Sequence, residues 1–149
     1  MSATNNFEAN ILKLIFQNVN YADIGDTTGL RGATAAANFF VSLHTAALGD
    51  TSTGTTSESA YGTYARVAVV RSAAGWDVTG TTPTNASNLG AVTFPLVNTG
   101  SETITDFGIN NNTSGAGILC FFGNLTANRA ISAGITPEFL AGALVINCD

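Results

Sequence analysis

Two hydrophobic periods run through the chain. Between residues 37 and 45, Phe39, Val41 and Leu43 alternate with Phe40, Ser42 and His44, the two-residue period of a strand whose faces differ. The segment 62–71 resumes it, with Ala65, Val67 and Val69 opposed to Tyr64, Arg66 and Ala68. Trp76 and Val78 predict a short strand after the Ala74-Gly75 turn, and more strands are expected near 89–94, 102–110, 116–122, 129–132 and 142–147. Pro95, Gly100, Asn110-Asn111-Asn112, Gly115, Gly123-Asn124, Gly134, Pro137 and Gly142 punctuate them. Such spacing predicts a mainly β fold, a jelly-roll-like antiparallel β-sandwich with an N-terminal α-helix or arm.

The other period is helical. Over residues 5–17, Phe7, Ile11, Leu14 and Ile15 share one face, and Leu12 and Phe16 widen the stripe. Asn5 is placed to cap this helix, with Glu8 three residues on as in a capping box. A stripe this wide has two uses: docking on a core, or binding a neighbouring subunit. Residues 18–35 hold three glycines and no sustained period, so they read as a long loop. The expected division is therefore an arm over 1–35 and a β-sandwich over 36–149. Phe7, Ile11, Leu12, Ile15 and Phe16 of the helix, with Ile24, Leu30 and Arg31 of the loop, are the candidate protein-interface residues.

Composition narrows the function. Apolar residues make up 45% of the 149 and charged residues only 10%, far below the roughly 25% of ordinary soluble domains. A surface with so few charges tolerates neighbours, as in a subunit packed into an assembly. The five Lys and Arg residues are scattered against ten acidic ones, which disfavours nucleic acid and anionic membranes alike. The first residues lack a charged leader and a cleavage site, and no apolar run nears about 18 residues, so neither a signal peptide nor a membrane span is expected. Cys120 and Cys148 lie in apolar, strand-like contexts and are expected as buried free thiols, with a bridge between them as the alternative.

Candidate chemistry is thin. The single histidine, His44, shares a strand face with Ser42, a spacing expected to suit a nucleophile–base hydrogen bond poorly, and no Gly-x-Ser-x-Gly elbow accompanies it. Asp50, Glu58, Asp77, Glu102 and Asp106 are carboxylates that a glycosidase would need in pairs. Asp23 and Asp26 lack the alternating oxygen ligands of a calcium loop. The residues point to no enzyme, no cofactor and no metal. Residues 49–60 are expected as a flexible acidic loop, and 80–88 as a second loop.

Ser42-Leu43-His44-Thr45-Ala46 with Gly49-Asp50, followed by Tyr64-Ala65-Arg66-Val67-Ala68-Val69, resembles a family of small tailed-phage virion proteins. Val92-Thr93-Phe94-Pro95, Ile104-Thr105-Asp106-Phe107-Gly108-Ile109, Ser114-Gly115-Ala116-Gly117-Ile118-Leu119 and Gly142-Ala143-Leu144-Val145-Ile146-Asn147 add to the likeness. The family includes tail-fibre-like proteins and capsid cement or decoration proteins. The resemblance implies a virion component whose partners are the major capsid protein and copies of itself, as a trimer or dimer. With no heptad or β-helical stalk in the sequence, the expectation is a cement protein on the capsid exterior; a tail-fibre or receptor-binding module is the alternative.

Overall fold

The computed structural model describes residues 3–22, 24–80 and 84–148. They form one helix, α1 (Asn5–Gln17), and nine strands: β1 (Asn38–His44), β2 (Val67–Val70), β3 (Trp76–Thr79), β4 (Thr84–Asn88), β5 (Val92–Thr93), β6 (Ser101–Asn110), β7 (Leu119–Ser132), β8 (Glu138–Phe139) and β9 (Val145–Cys148). The chain is thus mainly β, with antiparallel sheets and one N-terminal helix. The sheets have the orders β2-β1-β6-β7, β3-β4-β9 and β5-β8. No helix among the described residues is long and apolar enough to cross a membrane.

Packing groups the chain into two compact units, one of residues 1–38, 69–91 and 140–149, the other of 39–68 and 92–139. The helix and loop expected as an arm over 1–35 thus share a unit with stretches of the segment expected as the β-domain.

In the first unit α1 lies on the β3-β4-β9 sheet. The helix spans the expected residues, but its N-cap is Thr4, not Asn5: the Thr4 hydroxyl accepts from the Phe7 N–H. Glu8 does not turn back to close a capping box. It is buried and accepts from the Thr84 hydroxyl at 3.1 Å. The buried row is Glu8, Leu12 and Phe16, four residues apart, so the docking face is rotated from the one the apolar pattern centred on Ile11 and Ile15. Phe16 meets Trp76 with ring centroids 4.8 Å apart, and both are fully buried. Arg71 donates to the carbonyls of Leu14 and Ile15, and Asn18, in the left-handed region, ends the helix. Asn18 then binds the Ala33 backbone in both directions, which closes the 18–33 loop on itself.

Strand β4 lies in the stretch expected as the 80–88 loop. Its side chains are mostly short and polar, so periodicity was hidden; what makes it a strand is pairing with β3 on one side and β9 on the other. Asn88 fastens the chain end by donating to Leu140 O and accepting from Leu144 N.

The second unit holds β1, β6 and β7. Val41 faces Ile109 and Leu43 faces Phe107 across β1 and β6, and this apolar side packs on aromatic residues. Phe107 meets Phe139 of β8 at 5.7 Å, and Phe139 meets Phe94 at 6.1 Å. The two-stranded β5-β8 ribbon therefore covers one face of the sheet. The strands expected at 116–122 and 129–132 are one strand, β7. Its pairing jumps from Asn124 opposite Asp106 to Arg129 opposite Ile104, so residues 125–128 bulge from the ladder without ending it. The expected 62–71 strand is shortened to Val67–Val70, because Tyr64 and Arg66 serve a different purpose.

Candidate functional site

Much of the string that carries the family resemblance lies in the second unit, and its polar residues Ser42, His44 and Asp106 meet on the face of β1 and β6 opposite the ribbon, while 142–147 belong to the first unit. This face is polar yet buried: Ser42, His44, Asp106 and Asn110 are each at most 1% exposed. Burial of polar groups costs a kcal/mol or more each unless they pair. Here His44 and Asp106 pair with the segment 45–59, which folds back over the sheet, and Asn110 donates to Ser42. Thr45 N–H donates to Ser57 O and Ser59 N–H to Leu43 O, both at 2.8 Å, with His44 bridged to Glu58. The expectation of a flexible loop is corrected by these bonds. Ser57 takes a φ of +48° to make the turn.

His44 fastens the middle of this strap. Its Nδ1 lies 2.8 Å from the Thr56 carbonyl, which can only accept, so Nδ1 carries the proton. Nε2 is then the acceptor, 2.7 Å from the Ser42 hydroxyl. Ser42 in turn accepts from the Asn110 amide at 2.8 Å. The expected mismatch between Ser42 and His44 is thereby overturned: strand pleating brings same-face side chains two residues apart within hydrogen-bond reach. The distances are those of a nucleophile and base, but both groups are fully buried. Burial pushes the His44 pKa below its ordinary value; the Thr56 bond and Glu58 oppose it, Arg66 adds to it, and Asp106 opposes it weakly.

Arg66 fastens the rest. Its Nε donates to Glu58 Oε1 at 2.7 Å and Nη2 to Oε2 at 2.9 Å, a bidentate pair with the guanidinium 1% exposed. The remaining N–H groups reach Gly54 O, Gly115 O and Asn112 O, all within 3.0 Å. One side chain thus ties the strap to the 111–117 turn. Tyr64 completes the array by accepting from Leu43 N–H and donating to Glu58 Oε1. Its phenol pKa is pushed up, chiefly by burial. In the sequence Arg66 is one of five scattered cations. A lone arginine amid a β-period, eight residues after a glutamate, was the signal available.

The other carboxylates are placed as structural acceptors. Glu102 takes bonds from Ser59 Oγ and Ala60 N, and Asp106 from Leu48 N. Asp50 and Asp77 are exposed. Asp23 lies outside the described residues, and Asp26 accepts from Thr28. Among the described residues no group of three or more His, Cys, Asp and Glu side chains is arranged to hold a metal.

The predicted interface residues divide. Leu12 and Phe16 are core, 3% and 0% exposed, and offer no surface to another subunit. Phe7 and Leu30 are exposed, as is Arg31, while Ile11, Ile15 and Ile24 are half-buried. Phe7 stacks edge-on against Tyr21, whose backbone pairs with that of Leu30, so these residues form one local cluster. A second exposed set carries no signal in the sequence pattern: Ile118, just before the outer strand of the four-stranded sheet, and Phe122 within it, 63% and 40% exposed on either side of Cys120. Cys120 is exposed and Cys148 half-buried, so the thiols are not the core groups expected. Strand β7 lies at the sheet edge, where side chains on both faces keep contact with water.

The scaffold is mainly β, with a buried polar face and individual apolar residues left exposed. The chain belongs to the family described as podophage GP4 fiber I protein gp80, whose family model matches residues 2–147. It is thus a structural component of a tailed-phage virion. No curated protein matches the chain.

Proposed function

We propose that this chain is a structural module of the tail fibre, associating with copies of itself and with neighbouring fibre proteins. The observation that carries this reading is the family match over nearly the whole chain, and it favours the fibre over the capsid-cement role expected from sequence. Exposed Phe122 on the edge strand β7 and exposed Ile118 just before it support this reading, since sheet edges of this kind invite partners. The role is non-enzymatic: the buried acid, base and hydroxyl groups hold the fold's loops, and their free energy goes into a rigid sheet. Rigidity suits a part that transmits load between virion and host surface.

Copy number and position test the reading together. Quantitative mass spectrometry of purified virions should find a few to a few dozen copies per particle, and gold-labelled antibody should mark the tail. Hundreds of copies with label spread over the shell would restore the cement role.

A further inference from the structure

Backbone bonds such as Ser59 N–H to Leu43 O and Gly54 N–H to Ala116 O help hold the strap 45–59, and of the side chains that fasten it only His44 titrates near neutral pH. At one end Asp106 receives the Leu48 N–H, and at the other Glu58 is clasped by Arg66. Between them Thr56 is held by His44. A second proton on the ring would have to turn the Ser42 O–H away, because that hydroxyl now donates to Nε2. Nε2 faces the Ser42 hydroxyl, which already accepts from Asn110, and Gly108 closes the space behind: a Cβ there would stand 2.9 Å from Nε2.

We propose that His44 is an acid-sensitive pin, and that protonating it loosens the strap from the sheet. A proton taken up at Nε2 ends its role as acceptor from Ser42 and places a cation in a fully buried site. The charged groups facing the ring are Glu58 from the strap, Asp106 from β6 and Arg66 ahead of β2, with the neutral phenol of Tyr64 beside Glu58. The two carboxylates attract the cation and Arg66 repels it, but burial is the largest influence and opposes it. One acceptor stands open on the register partner: Asp106 Oδ1 is buried and meets no donor among the described residues. A ring turning toward it, or outward to water, leaves the Thr56 carbonyl. The strap then swings about the Glu58–Arg66 clasp, and its outward-facing Thr53, Thr55 and Ser57 move with it.

The chain has a single histidine, so its imidazole signals report this site alone in a proton NMR titration of the full-length protein. Hydrogen exchange of the Thr45 and Ser59 amides, corrected for intrinsic rates, reads the strap; the β1–β6 ladder amides serve as control. The expected result is at least tenfold faster exchange at Thr45 and Ser59 on the acid side of the imidazole midpoint, with the ladder unchanged, and no such step in His44→Gln. Titration without acceleration, or the same acceleration in His44→Gln, would overturn the proposal. If that variant does not fold, Ser42→Ala removes the hydroxyl that engages Nε2 and should raise the imidazole and exchange midpoints together. Midpoints that move independently would also sink it.

Discussion

Ser42 on β1 and Gly108 on β6 are register partners, and a Cβ at position 108 would lie 2.7 Å from the Ser42 hydroxyl. The absence of a side chain at 108 is what lets Ser42 and His44 meet. Real Cβ contacts do not occur at that distance, so the hydroxyl, the imidazole and the Leu119 methyl would all have to move.

Gly108→Ala should therefore destabilise the protein by about 1–3 kcal/mol, the usual cost of overpacking. Urea denaturation measures it, and the His44 imidazole signals should shift in the same variant. An unchanged unfolding midpoint would mean that the sheet relaxes around the extra methyl.

The Arg66–Glu58 pair should behave as a buried ion pair. Arg66→Met should cost about 3–5 kcal/mol, because it strands the Glu58 carboxylate and unpairs the Gly54, Gly115 and Asn112 carbonyls. Arg66→Lys should recover little of this, since an ammonium cannot reproduce the planar fork. Denaturant midpoints of the two variants, compared with wild type, check both statements.

His44 sets a pH dependence whose sign follows from its lowered pKa. The unfolded chain binds a proton near pH 6.5 that the folded chain refuses until lower pH. Its contribution to stability is thus complete above that value and falls with pH toward the folded pKa, by up to about 1.4 kcal/mol per unit. The difference in unfolding free energy between wild type and His44→Gln, measured from pH 7.5 to 5, should shrink in favour of the variant. A difference constant with pH would count against a buried neutral imidazole.

The helix gives a local check. Thr4→Ala should cost about 1 kcal/mol through the lost cap, whereas Asn5→Ala should leave stability nearly unchanged. Phe16→Ala should cost about 3–5 kcal/mol by emptying the space against Trp76. Far-ultraviolet circular dichroism during thermal melts distinguishes a frayed helix from an undocked one.

Local patterns were legible in the residues alone. The two-residue period of β1 and β6, the extent of α1 and most turn positions follow from steric preference and the burial of alternate side chains, which act between near neighbours in sequence. The motif that carried the family likeness was legible too, as a string. Its meaning was not, because Arg66 reaches Asn112 and Gly115 only once β1 and β6 have paired. The same holds for β4, a polar stretch made into a strand by partners on both sides, and for the turn of α1 that buries Glu8 instead of Ile11. Periodicity reports what a segment prefers. Tertiary structure decided which polar groups were buried together, since a donor and an acceptor distant in the chain offset their desolvation only when the fold brings them within about 3 Å.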